Sequence, residues 1–165
     1  GAPVSEPEPA GGVAASDERE VQEPPVDLSD AAAVAQAVLT AEGRPDALLS
    51  VAIVDDERIA ELHVEFMDVP GPTDVISFPL EDDGPGPQVL GDVVVSADTA
   101  AREARERGIS LREELLRYVV HGTLHLLGYD DLEEGERERM HARQEELLSR
   151  YLDHQPDLAG GAPVD

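Results

Sequence analysis

The stretch from Leu111 to Leu127 constrains this chain more than any other. Its second half reads Leu-Leu-Arg-Tyr-Val-Val-His-Gly-Thr-Leu-His-Leu-Leu, from Leu115 to Leu127. Wound as a helix, that half is apolar around most of its circumference. A helix of that kind is stable only when other elements surround it. Ser110 supplies an N-cap ahead of it and Gly128 a stop behind it. The fold therefore has to be layered around residues 111–127.

The remaining pattern supplies the layers. Asp27, Ser29 and Asp30 offer caps for a helix over Ala31–Ala41 that ends at Gly43. Leu48–Val54 reads as a strand, and Asp55 or Asp56 caps a second helix through about Phe66. A Val-Pro-Gly-Pro loop leads to a strand over Thr73–Leu80. An acidic Pro/Gly loop over Glu81–Pro87 precedes another strand over Val89–Val95. Ser96 caps an Arg/Glu-rich helix ending at Gly108, and Glu133 to about Tyr151 forms the last helix. The order predicts one α/β (α+β) domain: a small mixed sheet covered on one side by helices, with the 111–127 helix at the centre. Residues 1–27 read as a mobile, acidic, Pro/Gly-rich arm. Within it Val13–Ala15 or Glu20–Gln22 offers a short edge strand. Residues 28–151 read as the folded domain and 152–165 as a C-terminal tail.

Composition narrows the chemistry. There is no cysteine, which removes disulfides, thiolate nucleophiles and Cys-type zinc sites together. With 41% apolar but only 3% aromatic residues, the core has to be aliphatic. No apolar run approaches the roughly 20 residues that span a bilayer, and no signal peptide is legible. The formal charge is −25, and every basic residue is Arg. Such a surface repels nucleic acid at long range and is suited to solubility or to a basic partner.

His121 and His125 lie four residues apart and share one face of the central helix. After Gly128 the chain can turn and bring Asp130 or Asp131 back toward them. Two imidazoles and one carboxylate make a three-ligand set for a divalent ion, with a position left open for water, whose pKa such an ion lowers to about 7. We assign Asp131 as the third ligand and Asp130 as its supporting partner or a cap for the last helix. Local spacing leaves the order of these two open. A bare His-x-x-x-His is more often a pair of core or interface residues, and the downstream Gly-Tyr-Asp-Asp brings the metal reading level with that one. Zincin proteolysis needs a Glu after the first His, and here that residue is Gly122. A glycine at that point implies that a substrate or another backbone comes close. His63 and His141 read as surface residues.

These residues, from His121 to Asp131, resemble the signature of the YbeY family of single-domain, metal-dependent endoribonucleases, His-Gly-x-Leu-His-Leu-x-Gly-Tyr-Asp-His. Two further segments are similar to the family's, in family order: Pro72-Thr-Asp-Val-Ile-Ser-Phe-Pro79 and Leu90-Gly-Asp-Val-Val-Val95. The resemblance covers roughly residues 30–150. It implies a zinc site, cleavage of single-stranded RNA, a role in ribosomal RNA maturation and ribosome quality control, and a cytoplasmic location. It also places Thr73, Asp74 and Ser77 beside the metal helix as lining of the substrate cleft. The chain departs from the pattern twice. The third ligand, usually His, is Asp131. The Arg that often precedes the Pro-Thr segment is Met67, and no Arg or Lys lies between Arg58 and Arg102.

The leading expectation is a zinc-dependent endoribonuclease acting on rRNA, with no membrane association and with the ion itself carrying most of the catalysis. Ribosomal proteins or a ribosome-assembly GTPase are expected partners. The alternatives are a metal-dependent hydrolase of another substrate class, and a ribosome-associated binding factor whose metal is structural.

Overall fold

The computed structural model describes residues 12–81 and 84–154. Nine elements follow one another: β1 (Val13–Asp17), α1 (Leu28–Ala41), β2 (Leu48–Val54), α2 (Asp56–Met67), β3 (Val75–Pro79), β4 (Val89–Ser96), α3 (Ala97–Arg107), α4 (Leu111–Leu126) and α5 (Glu134–His154). Local chemistry sets most boundaries. The carboxylates of Asp27 and Asp55 and the hydroxyls of Ser96 and Ser110 each accept the N–H three residues on, which caps α1, α2, α3 and α4. α1 starts three residues earlier than the sequence predicts because its cap is Asp27 rather than a residue after it. β3 is shorter than expected. The Asp74 carboxylate takes up the N–H of Val75 at 2.7 Å, turning the chain just before the strand.

The four strands form one sheet in the order β1-β2-β4-β3. β1 and β4 run parallel to β2, and β3 runs antiparallel to β4. The sheet is mixed, as the element order predicts. Part of the segment expected as an arm belongs to it: Val13–Asp17 pairs along β2, and Val13 is fully buried. The short strand at Val13–Ala15 is thus the one realised, and Glu20–Gln22 is not a strand. Arg19 is also buried, held by Asp17 through two hydrogen bonds at 2.9 and 2.7 Å. The remainder of the expected arm, residues 1–11, and residues 155–165 of the expected tail lie outside the described residues. Leu152 to His154 continue α5.

The expectation of a one-sided cover needs correction. Leu49, Val51, Ile53, Val93 and Val95 face the large core shared with α1, α4 and α5. Val54, Ile76 and Val94 face the other way, against Ile59 of α2. Both faces of β2 and β4 carry apolar residues, so both must be covered. α4 lies where its composition requires. Leu115, Leu116, Tyr118, Val119, Val120, Gly122, Thr123 and Leu124 are all buried, and the helix packs against α1, α3, α5, β3 and β4. Among the described residues no helix is long and apolar enough to cross a membrane.

Candidate metal centre

Close contact between α4 and the sheet places the site. A Cβ on Gly122 would stand 2.5 Å from Val93 Cγ1, 3.1 Å from Val75 Cγ2 and 3.2 Å from Ser77 Oγ. The absent side chain lets α4 settle onto β3 and β4, and Ser77 donates a hydrogen bond to the Gly122 carbonyl at 3.0 Å. Gly122 is thus explained by the sheet's side chains, not by another backbone. His121, just before it, turns to the cleft beside β3, as does His125 one turn on. Their ring centroids are 4.8 Å apart, with the planes inclined at 73°.

The turn after α4 supplies the carboxylate. Gly128, at a φ of 105°, closes the helix. The Tyr129 N–H bonds to the Leu124 carbonyl and the Gly128 N–H to that of His125, both at 3.0 Å, the paired bonds of a Schellman motif. The Tyr129 hydroxyl is anchored on Glu42 at 2.9 Å. Past this corner, Asp130 Oδ1 accepts the N–H groups of Asp131 and Leu132 at 2.7 and 3.1 Å. That bond holds the backbone of Asp131 so that its Oδ2 lies 3.3 Å from His125 Nε2. One donor atom from each of His121, His125 and Asp131 lies within 4.8 Å of the other two. On a tetrahedral ion with bonds of about 2.0–2.1 Å, neighbouring donors are about 3.3 Å apart. The His125–Asp131 pair already has that spacing, and the donor set of two imidazoles and one carboxylate suits a divalent ion.

His121 is further prepared by α5. Its Nδ1 pairs with Gln144 Oε1 at 2.7 Å, while Gln144 Nε2 donates to Glu145 at 2.9 Å and Glu145 is gripped by Arg117 at 2.8 Å. The Glu145 bond fixes the amide with its oxygen toward the ring. Nδ1 must then carry the proton, which leaves the Nε2 lone pair for an ion. Burial holds the His121 imidazole below its usual 6.5. The nearby His125 pushes the same way, against the Gln144 bond and the charges of Asp74 and Asp131. The ring is therefore neutral at pH 7, as a ligand must be.

Thr73, Asp74 and Ser77 line the same cleft as His121, His125 and Asp131, a space of about 460 Å³. Met67 lines it too, at the place where the resemblance anticipates an Arg. A second space of about 470 Å³ shares Thr73, Asp74, Val75 and His121 and continues to Arg107, Arg117 and His141. His141 is exposed, as the sequence predicts, yet borders this extension. His63 donates from Nδ1 to the Gly71 carbonyl, 2.9 Å away, and holds the loop before β3. Sequence reading did not find Gln144, Glu145 or Arg117. The available signal was Gln144 itself, a polar residue on the buried stripe Met140, Gln144, Leu147, Leu148 and Tyr151 of α5.

The endoribonuclease YbeY family model matches residues 16–152. A protein of Mycobacterium sp. strain KMS named endoribonuclease YbeY is 45% identical over 120 residues, 67% of this chain and 68% of its own. One of the same name from Thermobifida fusca strain YX is 44% identical over 135 residues, 77% of this chain and 87% of its own. The solution structure of TM1509 from Thermotoga maritima aligns with a TM-score of 0.62 at 26% identity, covering 86% of this chain and 91% of that one.

Proposed function

The chain belongs to the endoribonuclease YbeY family, and from that premise we propose that it is a zinc-dependent endoribonuclease that cuts single-stranded RNA in ribosomal RNA maturation and ribosome quality control, in the cytoplasm. The observation that carries the reading is the convergence of His121, His125 and Asp131 donor atoms within 4.8 Å. These three would hold the ion. When bound, a divalent ion there supplies Lewis acidity and a water nucleophile near neutral pH. The chain's own residues do the rest. Gln144 holds the His121 proton on Nδ1. Asp131 puts one more negative charge at the site than a His would, which weakens Lewis acidity and widens the range of divalent ions accepted. The Thr73 hydroxyl can reach a ribose or phosphate beside the scissile bond, the Asp74 carboxylate can accept only from a ribose hydroxyl, and Ser77 fixes the helix behind it.

Zinc content and cleavage of a single-stranded RNA are to be measured together in the parent, His121→Ala and His125→Ala. Both variants should lose both properties. Cleavage undiminished in a metal-free double variant would refute the proposal.

One observation favours a second reading, a ribosome-associated factor whose metal is structural: the formal charge of −25 suits a basic ribosomal protein or an assembly GTPase with a basic face better than bare RNA. Binding to ribosomal particles that survives loss of the ligands, with no RNA cleavage in the parent, would transfer the assignment to it.

A further inference from the structure

The Met67 position has a neighbour that changes what its substitution means. Phe66 is 60% exposed and Met67 49%, two consecutive large apolar side chains in water. Phe66 meets Phe78 edge-on, ring centroids 5.2 Å apart, and these are the only two phenylalanines in the chain. β3 is an edge strand. Its Val75 and Ser77 look toward α4, while Ile76 packs against α2 on the opposite face, with Phe78 beside it. Met67 and Pro79 line the cleft that holds His121 and His125. Phe66 thus stands on the α2 face against Phe78, and its chain neighbour Met67 stands at the cleft.

Charge decides what can lie there. The residues lining the cleft include Asp74 and Asp131 and no arginine. The one arginine of α2, Arg58, is paired with Glu61 at 3.1 Å, and His63 is bonded to the Gly71 carbonyl at 2.9 Å. A phosphate finds no clamp at this end, so the contact that remains for a nucleic acid is the uncharged face of a base.

We propose that Phe66 and Met67 form a stacking platform for one unpaired base beside the metal cleft, so that RNA is held there by a base and not by a phosphate clamp. The inference rests on the RNA-cleaving reading above and adds its mode of recognition. A paired base has both faces covered in its stack, so the platform accepts single strands and rejects duplex.

The chain has no tryptophan, so the Phe66→Trp variant carries a single indole reporter at the platform. Its emission is to be titrated with a 2′-O-methyl octamer of adenosine, checked by gel to be intact after the titration, and with the same octamer made abasic. Quenching by the first and not the second is the expected result, with little loss between 50 and 300 mM KCl. In a cleavage assay Phe66→Ala should raise KM about five- to a hundred-fold, the effect of one lost stacked base, with kcat and metal content unchanged. Equal quenching by the abasic octamer, or an unchanged KM, overturns the inference. So does a dimer in the parent that Phe66→Ala dissociates, or quenching by a basic peptide alone, since either gives the patch to protein. Base-dependent quenching in a protein that cuts no RNA would defeat the function and leave the platform standing. Normal cleavage with neither quenching nor a KM effect would defeat the platform alone.

Discussion

At the level of single residues the site divides into what neighbours in sequence can reveal and what they cannot. His121 and His125 are legible because four residues make one helical turn. A carboxylate after the helix is legible because Gly128 lets the chain turn back and bring Asp130 or Asp131 toward the two rings. Between Asp130 and Asp131 the sequence leaves the order open, and the geometry separates them: Asp130 is spent on two backbone N–H groups, while Asp131 reaches His125. Asp131→Ala is therefore expected to release the metal, and Asp131→His to keep it, by elemental analysis of the purified variants. Full metal content in Asp131→Ala would remove it from the ligand set. Gln144 lies 23 residues from the ring that it orients, on another helix, and no local pattern announces such a partner. Gln144→Leu keeps the volume but removes the acceptor for Nδ1–H. Metal affinity should fall about 10- to 100-fold, as for other supporting partners of metal-bound imidazoles, with the unfolding midpoint little changed. Gln144→Glu should restore most of it. A competition titration with a chelating dye reads both, and equal affinity in Gln144→Leu and the parent would show that the amide does not position the ring.

Among the elements, caps and turns were readable because each is decided within four residues, as Asp27, Asp55, Ser96 and Ser110 illustrate. Pairing and sidedness were not, because they depend on partners far along the chain. The sequence could place a strand at Val13–Ala15 only as an option; what makes it a strand is β2, 36 positions away in register. The sidedness of β4 follows from a similar non-local detail. Leu48 pairs with Val89 but Leu49 with Gly91, so β4 carries an extra residue at Leu90, and Leu90 and Val93 face the same core despite their odd spacing. Gly91 makes the bulge possible with a φ of 142°. A Cβ there would stand 2.1 Å from the Phe78 carbonyl oxygen. The two packing glycines should differ in cost. Gly122→Ala gains about 1 kcal/mol of helix propensity but forces a methyl against Val93, an overpacking worth about 1–3 kcal/mol, so a net loss near 1 kcal/mol is expected. Gly91→Ala meets rigid backbone and a disfavoured φ together and should lose roughly 3 kcal/mol. Urea midpoints measured at unchanged m would test the ranking. A Gly122→Ala protein more stable than the parent would mean that α4 can lift off β4 at little cost.

For the whole molecule, charge is the dominant feature, and the fold shows where the few cations go. Arg19, Arg102, Arg107, Arg112, Arg117 and Arg143 are each bound to a carboxylate at 2.5–2.9 Å. Several join elements, as Arg112 of α4 does with Asp30 of α1 and Arg143 of α5 with Glu42 after α1. Even with these pairs formed, 37 acids against 12 arginines leave the surface strongly negative, and the compact state bears strong self-repulsion. Screening should relieve it. Between 0.01 and 0.5 M KCl the Debye length shrinks from about 30 Å to about 4 Å, so long-range repulsion fades while the short ion pairs persist. The folded state should gain about 1–2 kcal/mol, read as a rise of several degrees in Tm. Preferential exclusion of salt from apolar surface would also raise Tm, but it grows steadily with concentration. Relief of repulsion instead saturates once the Debye length falls below the spacing of surface charges. The decisive observation is the shape of the curve: a steep rise below 0.3 M that levels off supports a fold under charge strain. A flat or falling Tm over that range would mean that the acids are already neutralised by their arrangement on the surface, and that the charge of −25 serves recognition at no cost to stability.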